Sequence, residues 1–584
     1  MSRNQLLAGA EWEINYGSYI DSSMSNHAEV EILQQQRRSS RLSGGAPDES
    51  MLDLSADMWA DECAENSADS TDSAGLAHWL SGQLPPSPTT VWQNRDIVPK
   101  IFINPPEENH QCFLPSVTPF GIFNEFFDDE VVNYIVEMTN LYARRDKNLT
   151  NFSCDNAEIR IFLAILLLSG YNTLPRLRMY WEVTEDYNGS PVKNVMTRKR
   201  FETIMSCFHL ADNNNLVKGD KMAKIRPFYN LINKRCLKNR VNLPNLSIDE
   251  AMLPYFGRNS SKQRIPNKPV RVGYKMWVLA ESSGYVVQFD PYQGAKLCGP
   301  QRASPQTWGL GEKVVLELLE TLPKGPSFHV FFDNFFSSVR LISFLGQNNI
   351  KASGTLRQNR ISKTCAVSKK LVMQKQKRGS TSQQTASDNS ATVISWKDNR
   401  VVFFTTNCDP KQPEVSVKRY CPDAQRKVVL KQPNCINKYQ QSMGGVDRAD
   451  QNVSAYRIGI RSKKWWWALF AWVPDVIMQN AWLLYRHCRT PSDPKHDLLS
   501  FRREVVKVYF AKYKNSSFNA NSVAPCTSNT VPNSIRLDKH GHFSESSLTT
   551  KRCGLCHKSS RKWCPKCKKG LHDRCFNEYH GFTL

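Results

Sequence analysis

The segment SFHVFFDNFFSS, residues 327–338, constrains the fold more than any other stretch of this chain. A strand alternates its side chains between two faces, so FHVFF is apolar on both and belongs at the covered centre of a sheet. Such a strand points to an α/β fold. The carboxylate that ends it, Asp333, then lies at the sheet edge where α/β proteins place function. Taken alone, Asp333 could equally cap the next segment, as Asp-Asn before a turn often does.

The surrounding segments agree with that reading. FNEFFDDEVVNYIVEMTNLYARR, NAEIRIFLAILLLSGY, TRKRFETIMSCFHLADN and IRPFYNLINKRCLKNR carry apolar residues at three- and four-residue spacing and predict helices between about 115 and 245. Their polar faces are basic (Arg144, Arg145, Arg176, Arg178, Arg198, Lys199, Arg200), which suits either solvent or DNA. From about 246 the period shifts. LSIDEAMLPYFG reads as a short strand, GYKMWVLAES and GYVVQFDPYQG as a hairpin, GLGEKVVLELLETL as a helix and NIKASGTLR as a further strand. The GxG that opens the helix lacks the Gly-Lys-Ser/Thr ending of a phosphate loop. Residues 360–432 are basic, then Ser/Thr/Gln-rich, and read as an insertion. A helical stretch resumes near 436 and runs through KKWWWALFAWVPDVIMQNAWLLYRH.

The 584 residues carry a net charge of +23, unevenly spread. Residues 1–110 hold 17 acidic and 6 basic side chains and few periodic apolar ones, which predicts an acidic, disordered tail over 1–114. The remainder carries +34. A basic body of that size calls for an anionic partner, and nucleic acid is the default. The longest apolar run, IFLAILLLSG, is too short to span a bilayer, so no membrane partner is expected. The start of the chain lacks the order of a secretory signal, and its 17 cysteines read as thiols and metal ligands. A reducing compartment is expected and, with DNA as partner, the nucleus.

Three acidic positions fall in a telling order. Asp249 sits in a short apolar strand, where a charge is costly unless paired or metal-bound. Asp333 ends the central strand. Asp447 and Asp450 lie three apart in SMGGVDRADQN, on one face of any helix, where like charges repel by a few tenths of a kcal/mol. Carboxylates converging from separate elements suit Mg²⁺, an oxygen-preferring ion, and two such ions about 4 Å apart serve phosphodiester displacement.

The blocks LSIDEAMLPYFGR, NKPVRVGYKMWVL, FFDNFFSS and MGGVDRADQN, in that order, resemble the piggyBac transposase family over roughly residues 115–485. The resemblance implies a ribonuclease-H-like (DDE/D) core over 246–359 and 433–515, split by an insertion domain over 360–432. A helical dimerisation and DNA-binding domain would precede it over 115–245. It implies catalytic roles for Asp249, Asp333 and Asp447, with Asp450 as a further metal-site acid. The implied chemistry is Mg²⁺-dependent cleavage of double-stranded DNA at transposon ends and strand transfer into TTAA, by a homodimer. Trp465 matches a family tryptophan that distorts the DNA end; Lys463, Lys464, Lys268 and Arg271 are candidate phosphate contacts. The alternatives are a domesticated descendant that binds DNA and regulates chromatin without cutting, and an interaction scaffold.

The end of the chain, CGLCHKSSRKWCPKCKKGLHDRCFNEYH, places Cys553, Cys556, Cys564, Cys567, His572, Cys575 and His580 at zinc-ligand spacing. A zinc domain over 551–584 is expected, after a linker over 516–550. The family's tail is a cross-brace holding two zincs, but Thr583 stands where the family has its last cysteine. His557 is the candidate eighth ligand; otherwise water or a single zinc suffices. Because cross-brace folds also bind proteins, chromatin partners join DNA among the candidates for this tail.

Overall fold

In the computed structural model, the described residues are 91–582 apart from 101, 103–116, 185–188, 242, 267, 295–307, 324–327, 422–424, 515–530, 532–535 and 538–540. Most of the tail expected over 1–114, and Thr583, lie outside them. Residues 91–100 do not, and they correct the expectation at that point. Trp92–Gln93 forms strand β1, Ile97 is buried, and Asp96 accepts bonds from the amides of Lys411 and Gln412. A two-residue strand has no period to read, which is why composition alone marked it as loose.

Five helices follow: α1 (Pro119–Asn124), α2 (Asp129–Arg145), α3 (Asn156–Ser169), α4 (Arg198–Cys207) and α5 (Arg226–Lys238). The α3 sequence is apolar almost all round, so it is buried nearly throughout, and a capping box between Asp155 and Glu158 fixes its start. Its one buried cation, Arg160, is held by Asn124, Asn156, Asp129 and the carbonyl of Phe127. Several of the basic residues on these helices serve internal pairs: Arg145 binds Asp212 and Arg200 binds Glu158.

The sheet grows from β2 (Asn245–Pro254), β3 (Gln263–Arg264), β4 (Val272–Glu281) and β5 (Val286–Pro291). Helix α6 (Leu310–Glu320) then leads to β6 (His329–Phe332), and α7 (Val339–Gln347) leads to β7 (Lys351–Leu356). β2, β6 and β7 run parallel in neighbouring positions, whereas β4 is antiparallel to both β2 and β5. All four residues of β6 are buried, as a strand in the middle of the order must be.

The segment read as an insertion does not stand apart from this sheet. After α8 (Lys370–Gln374), the strands β8 (Thr381–Ala386), β9 (Thr392–Lys397) and β10 (Val401–Thr406) continue it through β7, giving the order β1-β8-β9-β10-β7-β6-β2-β4-β3 with β5 on β4. Only β11 (Val415–Cys421) and β12 (Arg426–Gln432) form a separate two-stranded ribbon.

The chain then returns as helices α9 (Asn434–Ser442), α10 (Gly445–Ala455), α11 (Trp467–Cys488) and α12 (Leu498–Tyr513). α12 packs on α3 and α1, closing one apolar core over helices and sheet. A buried pair, Asp475 with Arg502 at 2.7 Å, ties α11 to α12, and the second Asp475 oxygen accepts from the Ile458 amide at 3.0 Å. The last module has strands β13 (Glu545–Arg552), β14 (Ser559–Cys564), β15 (Lys569–Gly570) and helix α13 (Asp573–His580). It begins earlier than the expected boundary at 551, inside what reads as linker. No helix among the described residues is long and apolar enough to cross a membrane.

Candidate active site and cysteine module

Across the parallel pair β2 and β6, Ile248 is the register partner of Phe332. The next residues are Asp249 and Asp333, so the two carboxylates stand side by side, Asp333 just past the end of β6 and Asp249 midway along β2. Burial pushes Asp249 up to about 7; Lys268 opposes the rise, while the charges of Glu250 and Asp333 add to it. Asp333 is raised first by burial as well, against a bond from the Phe335 amide.

α10 delivers the other two acids. A Cβ on Gly445, its first residue, would lie 2.4 Å from the Glu281 carbonyl oxygen and 2.5 Å from Ser247 Oγ, so only glycine lets the helix sit this close to β2 and β4. Val446, Ala449 and Val453 face the core, and Arg448 donates to the Ser282 carbonyl. The receiving turn needs Gly284, whose φ is +101°. Asp447 and Asp450 occupy the adjoining helix face. Burial lifts Asp450 to about 6, against Arg457 and Lys268, with Asp447 adding to the rise. Lys268 lies in the fields of Asp249, Glu250 and Asp447, and Tyr439 in those of Asp333, Asp249 and Asp447. One lysine and one tyrosine thus lie in the fields of acids from three elements, so these acids border a common region. The donors they offer are all carboxylate oxygens, the set that fits a hard divalent cation.

Sequence reasoning named Lys268 but missed its partners Glu250 and Lys275. Glu250 pairs with Lys268 at 3.5 Å and Lys275 at 3.8 Å, and Lys275 lies over the Trp277 ring at 4.1 Å. Alternation along the strands β2 and β4 carried the signal, since Lys275 and Glu250 are polar positions in apolar runs.

The residues singled out for phosphate divide. Lys463 and Arg271 are exposed. Lys464 is occupied: its ammonium donates to the carbonyls of Met205 and Phe208, closing the end of α4, and burial depresses it to about 8. Trp466 and Trp467 are buried, whereas half-buried Trp465 lines a pocket of about 440 Å³ with Tyr142, His209, Arg258 and Lys463.

The cysteine module forms two four-residue clusters, Cys553–Cys556–His572–Cys575 and His542–Cys564–Cys567–His580, each with its ligand atoms within 4.8 Å of one another. His572 Nδ1 lies 3.4 Å from Cys556 Sγ and 4.0 Å from Cys575 Sγ; His542 Nδ1 lies 3.4 Å from Cys564 Sγ and 3.5 Å from Cys567 Sγ. Nitrogen and sulfur bound to one tetrahedral zinc would stand about 3.6 Å apart. The far ring nitrogens are anchored: His572 Nε2 to the Ser559 carbonyl at 3.0 Å, and His580 Nδ1 to the Arg536 carbonyl at 2.9 Å. Such outer bonds fix the imidazole that faces a metal. Burial raises Cys553, but the amides of Cys556, Leu555 and His572 outweigh it and hold the thiol at about 6. His557 corrects the sequence reading. It is exposed, with φ of 59°, and belongs to neither cluster; His542 takes the place assigned to it.

With this geometry the chain can be set beside known proteins. The profile of the Transposase IS4 family matches residues 118–482. PiggyBac transposable element-derived protein 3 of Homo sapiens is 37% identical over 470 residues, spanning 80% of this chain and 77% of the relative. The chain belongs to the piggyBac transposase family. PiggyBac transposable element-derived protein 2 of Homo sapiens is 36% identical over 497 residues, 84% of this chain and 82% of the relative. Among solved structures, a piggyBac transposase in a synaptic complex with hairpin DNA, determined by cryo-EM, shares the fold at a TM-score of 0.54 and 22% identity, over 79% of this chain and 96% of that one. The mixed α/β architecture described above is therefore the fold of that transposase.

Proposed function

We propose that this protein is a metal-dependent DNA transposase of the piggyBac type, cutting double-stranded DNA at element ends and joining it at TTAA. The observation that carries the reading is the placement of Asp249 and Asp333 on neighbouring parallel strands, with Asp447 and Asp450 on the helix that packs against β2. The strand path β5-β4-β2-β6-β7, antiparallel in its first half and parallel in its second, supports a ribonuclease-H-like core.

When bound, Mg²⁺ would supply an activated water and charge stabilisation of the leaving oxygen. The chain's own part is positional. Asp249 offers oxygens from within β2 and Asp333 from the end of β6, and α10 brings Asp447 and Asp450 to the same side. Lys268, at the mouth, offers a cation to a phosphate beside the acids. The pocket lined by Trp465, Arg258 and Lys463 suits an unpaired base with its phosphates, and exposed Phe256 offers a second ring for stacking.

The two cysteine clusters are read as structural zinc sites of a cross-brace that binds DNA or a chromatin protein. A homodimer working in the nucleus completes the proposal, in line with the basic charge of the body. The names of the human relatives, transposable element-derived proteins, favour one second reading: a host protein that keeps DNA binding without cutting.

An excision assay separates the two. A reporter is flanked by TTAA and the inverted repeats neighbouring the gene, and wild type is compared with Asp333→Asn. Precise repair to TTAA by wild type alone supports the transposase; tight binding to those ends without excision by either protein supports the binder.

A further inference from the structure

Three polar side chains converge at the base of β6, at the opposite end of the strand from Asp333. His329 opens β6, and Cys408 and Asp409 follow β10 where the chain turns towards the β11–β12 ribbon. Their exposures are 8%, 8% and 5%. Cys408 Sγ and Asp409 Oδ2 each lie 3.5 Å from His329 Nε2, and Ser353 Oγ lies 3.0 Å from the same nitrogen and 4.0 Å from the sulfur. One imidazole nitrogen carries either one proton or one lone pair, so it can satisfy only one of these neighbours. Lys438 takes Asp409 Oδ1 at 2.7 Å, whereas Asp409 Oδ2 is buried and makes no hydrogen bond.

The separations fit a shared cation better than a set of hydrogen bonds. Zinc held tetrahedrally at about 2.0–2.1 Å from oxygen and nitrogen and about 2.3 Å from sulfur sets nitrogen and sulfur about 3.6 Å apart, and nitrogen and oxygen about 3.4 Å. We propose that His329, Cys408 and Asp409 bind a zinc ion distinct from the two C-terminal clusters, with water completing the tetrahedron and Ser353, held by Thr406 at 2.9 Å, beside it. The mixed nitrogen, sulfur and oxygen donors suit that borderline cation. Thiolate and carboxylate together cancel its charge, and Lys438 serves as the outer partner of the carboxylate, as ligating carboxylates require. The ion clamps the foot of the strand that ends in Asp333 to the exit of β10, and through Lys438 to α9, the helix before α10.

The proposal holds whether or not the chain cuts DNA, and it is tested on the full-length protein purified without chelator. Zinc per chain is measured by inductively coupled plasma mass spectrometry in wild type, Cys408→Ser and Asp409→Asn, with far-UV circular dichroism to check folding. Each folded variant is expected to lose one equivalent relative to wild type, and zinc equal to wild type in a folded variant overturns the site. Should neither variant fold, the readout is zinc X-ray absorption on full-length protein carrying Cys553→Ser, Cys556→Ser, Cys575→Ser, Cys564→Ser and Cys567→Ser, which removes every thiol of the two C-terminal clusters. A remaining ion with a single sulfur among nitrogen and oxygen ligands sustains the site; no zinc, or a shell without that one sulfur, overturns it.

Discussion

Asp249 and Asp333 are neighbours because Ile248 and Phe332, one step earlier, are register partners in a parallel ladder. Neither carboxylate can be displaced without breaking strands at the centre of the sheet. Replacing either with asparagine keeps size and most hydrogen bonding but removes the charge. DNA cleavage is expected to fall at least about 1,000-fold, the size of loss seen when a principal charge-stabilising group is removed. Mobility-shift binding to the same DNA should stay within a factor of about three. Comparable cleavage by Asp249→Asn and wild type would remove these residues from the centre.

The same acids make the metal-free protein pH-sensitive. Asp249 is raised from the ordinary 3.8 to about 7 and Asp450 to about 6, chiefly by burial. A raised carboxyl contributes stability that is present below the unfolded value and is lost as pH rises through the folded one. In EDTA, the melting temperature should therefore fall between pH 4 and pH 7, and Asp249→Asn should flatten the fall and melt higher at pH 7. Each kcal/mol recovered corresponds to about 2–4 °C in a domain of 150–250 residues. Mg²⁺ or Mn²⁺ should stabilise wild type more than the variant. Differential scanning fluorimetry over that pH range tests both parts.

Gly445 sets the distance from α10 to the sheet. Gly445→Ala would put a methyl 2.4 Å from a carbonyl oxygen, so the helix must lift and carry Asp447 and Asp450 with it. A cost of about 1–3 kcal/mol is expected from such overpacking. Cleavage should drop by about 10-fold or more while binding to DNA persists. Urea unfolding and a cleavage assay on one preparation would separate the two effects.

The cysteine module gives a cleaner contrast. His542→Ala should cost one zinc equivalent, and His557→Ala none, because only His542 lies among Cys564, Cys567 and His580. Metal analysis of the two variants decides it. Zinc loss from His557→Ala with none from His542→Ala would reverse the assignment.

At the opposite end of the energy scale from surface pairs, Asp475 and Arg502 are both almost wholly buried and bonded at 2.7 Å. Asp475→Ala would strand a buried guanidinium and the Ile458 amide together. A loss of about 3–5 kcal/mol is expected in chemical denaturation, the cost of breaking such a pair from one side.

What could be read beforehand followed from local pattern. The helices around the acids show a period of three to four and the central strand an apolar run, and each aspartate sits within its own short motif. His542 had no such signal. It stands eleven residues before Cys553 with no ligand at chelate spacing, and joins its cluster only through the fold of β13 onto β14. Lys464 looked like its neighbour Lys463 because nothing in a sequence tells which ammonium will find two carbonyls at a helix end. The pairing of strands β8 to β10 was not readable, since a Ser/Thr/Gln-rich composition says little about which edge they extend.

Trp92 and Gln93 pair with Ala386 and Thr385, and Arg95 reaches the Ala386 and Ser387 carbonyls. The far margin of the ten-stranded sheet is thereby capped by chain from well before the first helix. Removing the acidic leader up to about residue 110 as dispensable would strip that cover and leave β8 as an open template for another copy's backbone. The leader's last few residues behave, in effect, as a built-in guard against self-association, and where a shortened form is cut decides whether it stays in solution.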